Sequence, residues 1–420
     1  MHPKGAAFPY TTPGKFLDWP PFPDLNPRQA SDMNIARQIH AHYTSQFGTE
    51  PLVVRSPGRV NLIGEHTDYN EGFVLPAAID KAAYVAVGRS ADAYCHWVAA
   101  DLNDTFDVRP DELTHSAKGW PNYLMGVVEQ FRKAGYPIEA FNCIISSDVP
   151  VGAGMSSSAA LECAVAYGLN QLYSLNIPRL ELVKMAQRAE NEFVGVKSGI
   201  MDQFASVFGK KNHVVRLDCR SLEYAYFPFQ IEGIRVVLFD TGVKHSLADS
   251  EYNDRRAQCE AGVRVLQKHD PAIRSLRDAD RELLLKHQRE FDPMIFNRCM
   301  YVVEENARLM SATDDLQRGD MLSFGQRMYG SHNGLRDMYE VSCPELDYLV
   351  AFTVTEEAVL GARMMGGGFG GCTINLVREE AVNDLFERMK KAYRIAMNRE
   401  LKMYSGVIED GTTVIENAVG

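Results

Sequence analysis

Long apolar runs are absent from the 420-residue sequence, in which no stretch approaches the roughly 18 apolar residues of a membrane-spanning helix. The first residues also lack the apolar segment of a secretory signal peptide. These absences predict a cytosolic protein without a membrane partner.

An excess of positive charge is absent as well, because 44 Lys and Arg residues face 55 Asp and Glu residues and leave a net charge of -11. Such a chain repels the phosphates of nucleic acids and of anionic lipids. We therefore expect no nucleic-acid partner. Any phosphate site must be local, built from backbone amides, a metal ion and a few cationic side chains.

Paired cysteines are missing too. The eight cysteines are scattered singly, without a C-x-x-C pair or a Cys/His cluster at zinc spacing. This spacing predicts free, mostly buried thiols rather than disulfides or a zinc site.

Helical and strand-like patterns are mixed along the chain, which predicts an α+β fold in two lobes. Strand patterns occupy residues 52–55, 82–88, 141–146, 213–218, 223–228, 234–240, 361–365 and 372–377. Helical patterns occupy residues 31–43, 119–134, 156–173, 179–194, 248–268, 296–312, 320–338 and 379–394.

Three segments are expected from these patterns. Seven prolines in the first 27 residues predict an irregular N-terminal arm over residues 1–31. Its Phe16, Leu17 and Trp19 could alternatively pack on the body. An N-terminal domain over residues 32–228 and a C-terminal domain over residues 229–420 would follow.

A glycine and serine segment at residues 150–162 reads PVGAGMSSSAALE. It predicts a loop that opens a helix, whose first amides lack intrahelical acceptors and can receive phosphate oxygens. The serines add hydroxyl donors and an oxygen able to bind a metal ion. An ordinary serine cap beside a glycine turn would explain the same residues. Gly-x-Gly directly before three serines favours the phosphate site.

A second glycine segment at residues 364–377 reads MMGGGFGGCTINLV. It contains G-x-G-x-x-G, but a dinucleotide site needs a helix after the loop, and residues 373–377 have a strand pattern. The glycines therefore indicate either a flexible hairpin or a backbone that approaches a ligand closely because no Cβ intervenes. Walker A and protein-kinase H-R-D and D-F-G sequences are absent, so those templates are excluded.

A third segment, residues 56–70, reads SPGRVNLIGEHTDYN and is predicted to be a polar loop after a strand. Its Arg, Glu, His, Asp and Asn side chains offer the donors and acceptors that a polyhydroxylated ligand requires. Taken alone, such a loop is more often plain surface.

Residues 59–70 resemble a signature of the GHMP family of small-molecule kinases, in its galactokinase branch, and the two glycine segments resemble the family's second and third motifs. Further similarity lies at residues 199–204, 245–248, 251–252 and 340–347. The resemblance runs from about residue 35 to the C-terminus. It implies an N-terminal α/β lobe and a ferredoxin-like C-terminal lobe with the active site between them.

The activity that the resemblance implies is phosphorylation of galactose at its anomeric C1 hydroxyl by ATP with Mg²⁺. The products would be galactose 1-phosphate and ADP, in the first step of galactose catabolism. We expect a monomer.

The resemblance also implies a role for each matching residue. Asp202 would be the catalytic carboxylate and Arg59 its partner, while Trp120 would lie beside the adenine. Mg²⁺ would be bound by Ser158 and Glu190. Galactose would be held by Arg59, Glu65, His66, Asp68, Gly199, Asp202 and Tyr252. The nucleotide phosphates would be held by Gly152, Ala153, Gly154, Met155, Ser156, Ser157 and Ser158, and the second glycine segment would close over the sugar and phosphates.

Two other functions compete with this one. Some relatives in the family are galactose sensors with little or no catalysis, but they are altered in the serine and alanine stretch that this chain retains at residues 156–160. An N-acetylgalactosamine or related sugar kinase is the nearer alternative. Residues 67–70, TDYN, favour the galactose branch.

Overall fold

The computed structural model describes residues 27–229, 232–243 and 248–416. The predicted arm up to residue 26, with Phe16, Leu17 and Trp19, lies outside the described residues. So do residues 245–247 of the family resemblance.

Helices and strands are mixed throughout the described chain, which confirms the predicted α+β class. The helices are α1 (Pro27–Phe47), α2 (Pro121–Lys133), α3 (Ser157–Leu172), α4 (Arg179–Arg188), α5 (Met201–Phe208), α6 (Ala248–Gln267), α7 (Arg281–His287), α8 (Pro293–Arg318), α9 (Met321–Asp337), α10 (Pro344–Val354) and α11 (Val382–Met397). The strands are β1 (Leu52–Asn61), β2 (Phe73–Val74), β3 (Pro76–Arg89), β4 (Cys95–Ala99), β5 (Asp104–Val108), β6 (Phe141–Ser147), β7 (His213–Asp218), β8 (Tyr224–Pro228), β9 (Ile234–Asp240), β10 (Val359–Met364), β11 (Cys372–Arg378), β12 (Lys402–Gly406) and β13 (Thr413–Val414).

The N-terminal lobe is built on a six-stranded sheet with the order β13-β1-β3-β6-β4-β5, in which β4 and β6 are parallel. Successive side chains of the central strand β3 point to opposite faces of the sheet, and helices cover both faces. Val85 and Val87 pack in the core with α2 and α3, whereas Tyr84 and Ala86 pack with α1. A second small sheet, β2-β7-β8, packs beside α5.

The C-terminal lobe is built on an antiparallel sheet with the order β10-β11-β9-β12. The same alternation buries both faces of β9. Val237 and Phe239 pack against α10 and α11, and Val236 and Leu238 pack on the opposite side with α8 and α9.

The two lobes share an apolar core. Val60 near the end of β1 and Leu62 just after the strand belong to the same buried cluster as Leu238 of β9 and Leu309 of α8. The end of the chain also returns to the first lobe, because β13 pairs antiparallel with β1. The cleft between the lobes is therefore framed by continuous packing, while the exact domain boundaries stay a prediction.

Two details of the sequence prediction were wrong. Helix α1 begins at Pro27, so the last residues assigned to the arm are helical; proline is well suited to a first helical turn, where its missing N–H costs nothing. Strand β1 does not stop before Ser56 but continues to Asn61, and its pairing with β3 shifts register between Pro57 and Arg59.

All eight cysteines are free thiols, and most of them are buried, as predicted. No helix within residues 27–229, 232–243 and 248–416 has the length and apolarity to cross a membrane.

Candidate active site

A cleft of about 330 Å³ lies between the two lobes and collects residues from all three sequence motifs. Of the residues predicted to form the site, those that line it are Arg59, Glu65, His66, Asp68, Gly152, Gly154, Met155, Ser156, Ser157, Ser158, Glu190, Asp202 and Tyr252.

Arg59 is placed in the cleft by the irregular end of β1. The shift in register after Pro57 lets the Arg59 N–H donate to the carbonyl of Met155, 3.0 Å away. Gly58 allows this approach, since a Cβ there would lie 2.7 Å from the Met155 oxygen. The glycine and serine loop is thus fastened directly to β1.

The Arg59 guanidinium forms a bidentate ion pair with Asp202, in the first turn of α5. Its Nε and Nη2 atoms donate to the two carboxylate oxygens at 2.7 and 2.9 Å. Arg59 is buried, which lowers its pKa, but the charges of Asp202 and Glu65 outweigh burial and raise the pKa overall. The arginine therefore stays charged and fixes the carboxylate by two planar hydrogen bonds.

Ser156 contacts the same carboxylate. Its hydroxyl donates to Asp202 Oδ2 instead of capping α3, for which no side-chain cap hydrogen bond is formed. Asp202 retains an exposed fraction of 22 % of its side chain, so the carboxylate remains open to the cleft.

The glycine and serine loop delivers the start of α3 to the cleft. Gly152 and Gly154 have φ values of 80° and 74°, in the left-handed region that favours glycine, and Ser157 begins the helix. The first amides of α3 have no acceptor in their own helix and, together with the positive end of the helix dipole, suit an anion. This is the geometry predicted for a phosphate site.

Beside the start of α3, Ser158 donates a hydrogen bond of 3.0 Å to Oε1 of Glu190. The second oxygen of Glu190 accepts from Ser198 and Gln203, at 2.6 and 2.9 Å. Burial, with the charge of Asp202 as a further cause, raises the pKa of Glu190. A hydroxyl and a carboxylate oxygen so placed are hard ligands, suited to a divalent cation such as Mg²⁺.

On the opposite side of the cleft, Glu65 joins the polar loop to the second glycine segment. It is 2 % exposed and accepts from the Gly366 N–H at 2.7 Å, from Arg363 at 3.1 Å and from Asn61 at 3.0 Å. Although burial opposes it, the positive charges of Arg363 and Arg59 hold the pKa of Glu65 below its usual value. Glu65 therefore ties loops of both lobes together.

His66 lies at the end of a chain of buried hydrogen bonds. Its Nε2 is 3.2 Å from the carbonyl oxygen of Gly367, and its Nδ1 is 2.7 Å from the Tyr69 hydroxyl. Because a carbonyl only accepts, Nε2 carries the proton and Nδ1 accepts from Tyr69. The Tyr69 hydroxyl then accepts from that of Tyr339, which is bonded to the thiol of Cys259. Burial lowers the pKa of His66 to about 4, so the ring is neutral.

Asp68 faces the cleft and depends on a glycine behind it. A Cβ on Gly199 would lie 2.0 Å from Asp68 Oδ2, so no other residue fits there without displacing the carboxylate. Burial and the negative charge of Asp202 raise the pKa of Asp68 to about 7.

Tyr252 of α6 and the second glycine segment close the remaining side. The Tyr252 ring lies 5.2 Å from that of His66 and borders Gly367. Gly366 approaches Gly154 closely, with 3.4 Å between the Cα of Gly154 and a Cβ built on Gly366. The hairpin between β10 and β11 is thus in contact with the first glycine loop, as expected of a segment that covers a ligand.

Three predicted residues do not line the cleft. Trp120 is buried in the core of the N-terminal lobe, where its Nε1 donates to Asp104, so its place beside an adenine stays a prediction. The side chain of Ala153 lies in the core that the lobes share, and Gly199 lies behind Asp68.

Several contributing residues had no role in the sequence prediction. Ser198, Gln203, Asn61, Arg363, Tyr69 and Tyr339 hold the predicted residues in place. Tyr69 lies inside the recognised polar segment, but only the fold reveals its partner Tyr339.

Three family models match parts of the chain. The GHMP kinases N terminal domain matches residues 122–210, the galactokinase galactose-binding signature residues 41–89, and the GHMP kinases C terminal domain residues 312–395.

Curated relatives match over nearly their whole length. A galactokinase from Roseiflexus sp. (strain RS-1) is 43% identical over 383 residues, which cover 91% of this chain and 98% of the relative. A galactokinase from Thermotoga neapolitana is 43% identical over 362 residues, covering 86% of this chain and 99% of the relative.

Solved structures give the same result. The galactokinase of Lactococcus lactis, crystallised in complex with galactose, superposes with a TM-score of 0.86 at 34% identity and covers 90% of this chain and 98% of that one. The Methanococcus jannaschii mevalonate kinase, at 16% identity and a TM-score of 0.60, covers 86% and 99% and shares the fold alone. The predicted two-lobed GHMP kinase fold is confirmed.

Proposed function

Because the chain belongs to the galactokinases of the GHMP kinase family, we propose that its cleft phosphorylates galactose at the anomeric C1 hydroxyl. The chain is an enzyme, a phosphotransferase with ATP as donor and a sugar alcohol group as acceptor. The products are galactose 1-phosphate and ADP.

The observation that carries this proposal is the bidentate pair of Arg59 and Asp202 at the meeting point of the polar loop and the start of α3. A sugar hydroxyl is a weak nucleophile, and a carboxylate within hydrogen-bond reach can take its proton. The oxygen of the C1 hydroxyl forms a bond to the γ-phosphorus of ATP, and the bond between that phosphorus and the ADP oxygen breaks. Asp202 accepts the proton of the C1 hydroxyl. Arg59 offsets the negative charge that develops on the C1 oxygen.

Positioning of the nucleotide falls to the first glycine loop and the start of α3. Gly152, Gly154 and the amides of Ser157 and Ser158 hold the phosphates, with the helix dipole favouring negative charge. This fixes the γ-phosphoryl group against the acceptor, and alignment together with electrostatic stabilisation accounts for almost all of catalysis in a reaction of this kind.

Ser158 and Glu190 would hold Mg²⁺. Their oxygens are 3.0 Å apart at the start of α3, and both are ligands that the ion prefers. When bound, the ion neutralises charge on the phosphates. Ser198 and Gln203 orient Glu190 for this role.

Recognition of galactose falls to residues on both lobes. Asp68 and Glu65 offer acceptors, and the rings of His66 and Tyr252 close the site. A site of buried polar groups discriminates against an epimer because the wrong hydroxyl orientation leaves such a group unpaired. The C4 hydroxyl, which distinguishes galactose from glucose, is therefore expected to be selected strongly.

A coupled ADP-release assay over galactose, glucose and N-acetylgalactosamine tests the proposal. Turnover with galactose far above that with the other two sugars is expected. Comparable turnover of N-acetylgalactosamine would assign the chain to the alternative sugar kinase. A monomeric state, a cytosolic location and the division near residue 229 stay predictions.

A further inference from the structure

A cluster of two histidines and one carboxylate lies in the C-terminal lobe, away from the cleft. His269 follows the end of α6, His287 ends α7, and Glu290 ends the short turn after it. None of the three lines the cleft. Helix α6 carries Tyr252 near its beginning and ends at Gln267, so a rise of 1.5 Å per residue places the cluster about 20 Å from the sugar side of the site.

The geometry of this cluster suits a metal ion. The donor atoms of His269, His287 and Glu290 all lie within 4.8 Å of one another. Glu290 accepts from His269 Nε2 at 2.8 Å and from His287 Nδ1 at 3.0 Å, so one carboxylate already gathers both imidazoles. Tetrahedral zinc ligands with bonds of about 2.0–2.1 Å lie about 3.3 Å apart, so the side chains must rotate to bind one ion.

The two imidazole rings approach each other closely. The two imidazoles are stacked, with centroids 3.8 Å apart and planes at 24°. A metal ion binds imidazole through a ring nitrogen that carries no proton. A bound divalent cation would replace the two N–H hydrogen bonds to Glu290 by bonds to nitrogen and oxygen.

The segments that carry the three ligands are anchored in the apolar core. Leu266, Ile273, Leu284 and Phe291, which neighbour the three ligands along the chain, belong to one buried apolar cluster. His287 has only 10% of its side chain exposed, whereas His269 and Glu290 keep 35% and 41%. An ion can therefore enter from solvent and keep water in the fourth position.

We propose that His269, His287 and Glu290 form a site for Zn²⁺ or a related nitrogen-preferring divalent metal, separate from the Mg²⁺ ligands in the cleft. Imidazole suits zinc and the later first-row metals, whereas Mg²⁺ prefers oxygen alone. The metal would fasten the ends of α6 and α7 to the start of α8.

The test is equilibrium dialysis of the metal-stripped full chain against Zn²⁺, with Mg²⁺ in excess. We expect one tightly bound Zn²⁺ per chain that Mg²⁺ does not displace. His287→Ala should weaken it by more than about tenfold, the loss typical even of a residue that only supports a metal ligand. The matched control is His96→Ala, which removes another partly exposed histidine bonded to carboxylates, Asp92 and Asp107. It should leave the dialysis result unchanged.

Glu290→Gln provides a second variant that keeps the shape of an exposed side chain and removes its charge. Zn²⁺ should raise the Tm of the wild-type chain, because a ligand bound only to the folded state stabilises it, and should raise that of Glu290→Gln less. Galactose turnover with Mg²⁺ should be equal in the wild type and both cluster variants. Absence of stoichiometric Zn²⁺, or equal weakening by His96→Ala, overturns the proposal and leaves the kinase assignment intact.

Discussion

The hydroxyl oxygens of Tyr69 and Tyr339 lie 2.7 Å apart and connect the polar loop of the first lobe to the segment after α9 in the second. Because the Gly367 carbonyl at the other end can only accept, every group in this chain of hydrogen bonds donates toward Gly367. The Tyr339 hydroxyl donates to that of Tyr69, and Tyr69 donates to His66. His66 is consequently a donor at Nε2, where the Gly367 carbonyl accepts its proton, and the bonds at both ring nitrogens fix the orientation of the ring beside the cleft.

Tyr69→Phe should therefore weaken galactose binding while leaving the chemical step nearly intact. The substitution removes the donor to His66 Nδ1, and a neutral hydrogen bond contributes about 1 kcal/mol, so the KM for galactose should rise by roughly fivefold. Nitrogen NMR should show that His66 keeps the proton on Nε2, held by the Gly367 carbonyl, while Nδ1 loses its hydrogen bond. Tyr329→Phe is the control, because it removes a tyrosine hydroxyl that bonds to Thr353 within the C-terminal lobe. An equal rise in KM in the control would contradict this role.

Asp202→Asn tests proton transfer. The amide has the shape of the carboxylate but cannot accept the proton of the C1 hydroxyl. Losses of about 10²–10⁴-fold in kcat are typical of a missing general base. Galactose binding, measured by calorimetry, should persist. Asp111→Asn, which alters an exposed ion pair with Arg109, should retain wild-type turnover. A kcat within tenfold of the wild type would remove Asp202 from this role.

The raised pKa of Asp68 predicts how galactose phosphorylation depends on pH. Its pKa is raised to about 7, so the free enzyme gains the ionised carboxylate as the pH rises through neutrality. An ionised acceptor makes the stronger hydrogen bond, and kcat/KM for galactose should accordingly increase across this range and then level off. His66, whose pKa is about 4, gains its proton only well below neutral pH. Asp68→Asn should lower kcat/KM and abolish the neutral inflection, and an inflection that persists in this variant would refute the assignment.

Glu190→Gln should raise the Mg²⁺ concentration needed for half-maximal activity, because a divalent cation binds a charged oxygen more strongly than an amide oxygen. The KM for galactose should change little. Glu192→Gln is the control, because Glu192 lies in the same turn as Glu190 but pairs with Lys133 at the surface. Identical Mg²⁺ titrations for the wild type and Glu190→Gln would show that Glu190 is structural.

Gly199→Ala should cost most of the affinity for galactose without a comparable effect on ATP. The added Cβ would meet Asp68 Oδ2 at 2.0 Å and displace the carboxylate. We expect the KM for galactose to rise by about tenfold or more, as for a charged hydrogen bond that is lost. Gly330→Ala in α9, whose Cβ would meet only the flexible Arg308 side chain at 3.3 Å, is the control. Unaltered galactose kinetics would show that Asp68 is not positioned by this glycine.

The sequence predicted much of the fold because regular periodicity is a local property. Strands β7 and β9 and helix α3 follow from alternating or helical spacing of apolar residues. The continuation of β1 through Pro57 and Gly58 could not be predicted in this way, since both residues normally interrupt a strand. An irregular register accommodates them, and it is this irregularity that places Arg59.

The candidate site was predictable only in its parts. The residue types were evident in the three motifs, but the contacts that organise them join distant positions, such as His66 with Gly367 or Ser156 with Asp202. Ser156 illustrates the difference. Its place before a helix predicted a phosphate contact, whereas the tertiary fold directs its hydroxyl to the carboxylate of another helix.

The pairing of β13 with β1 has a consequence for synthesis on the ribosome. The partner of β1 lies at residues 413–414, so the nascent chain keeps that strand edge open until those residues have been synthesised. At 5–20 residues per second the delay is on the order of tens of seconds, during which an unpaired strand edge invites contact with other chains. Thr412 adds to the late closure, because its hydroxyl bonds to Ser56 and to the Ser206 carbonyl. A premature stop codon before residue 412 would thus leave the first lobe, although it is synthesised earliest, without its last strand and without the Thr412 hydrogen bonds.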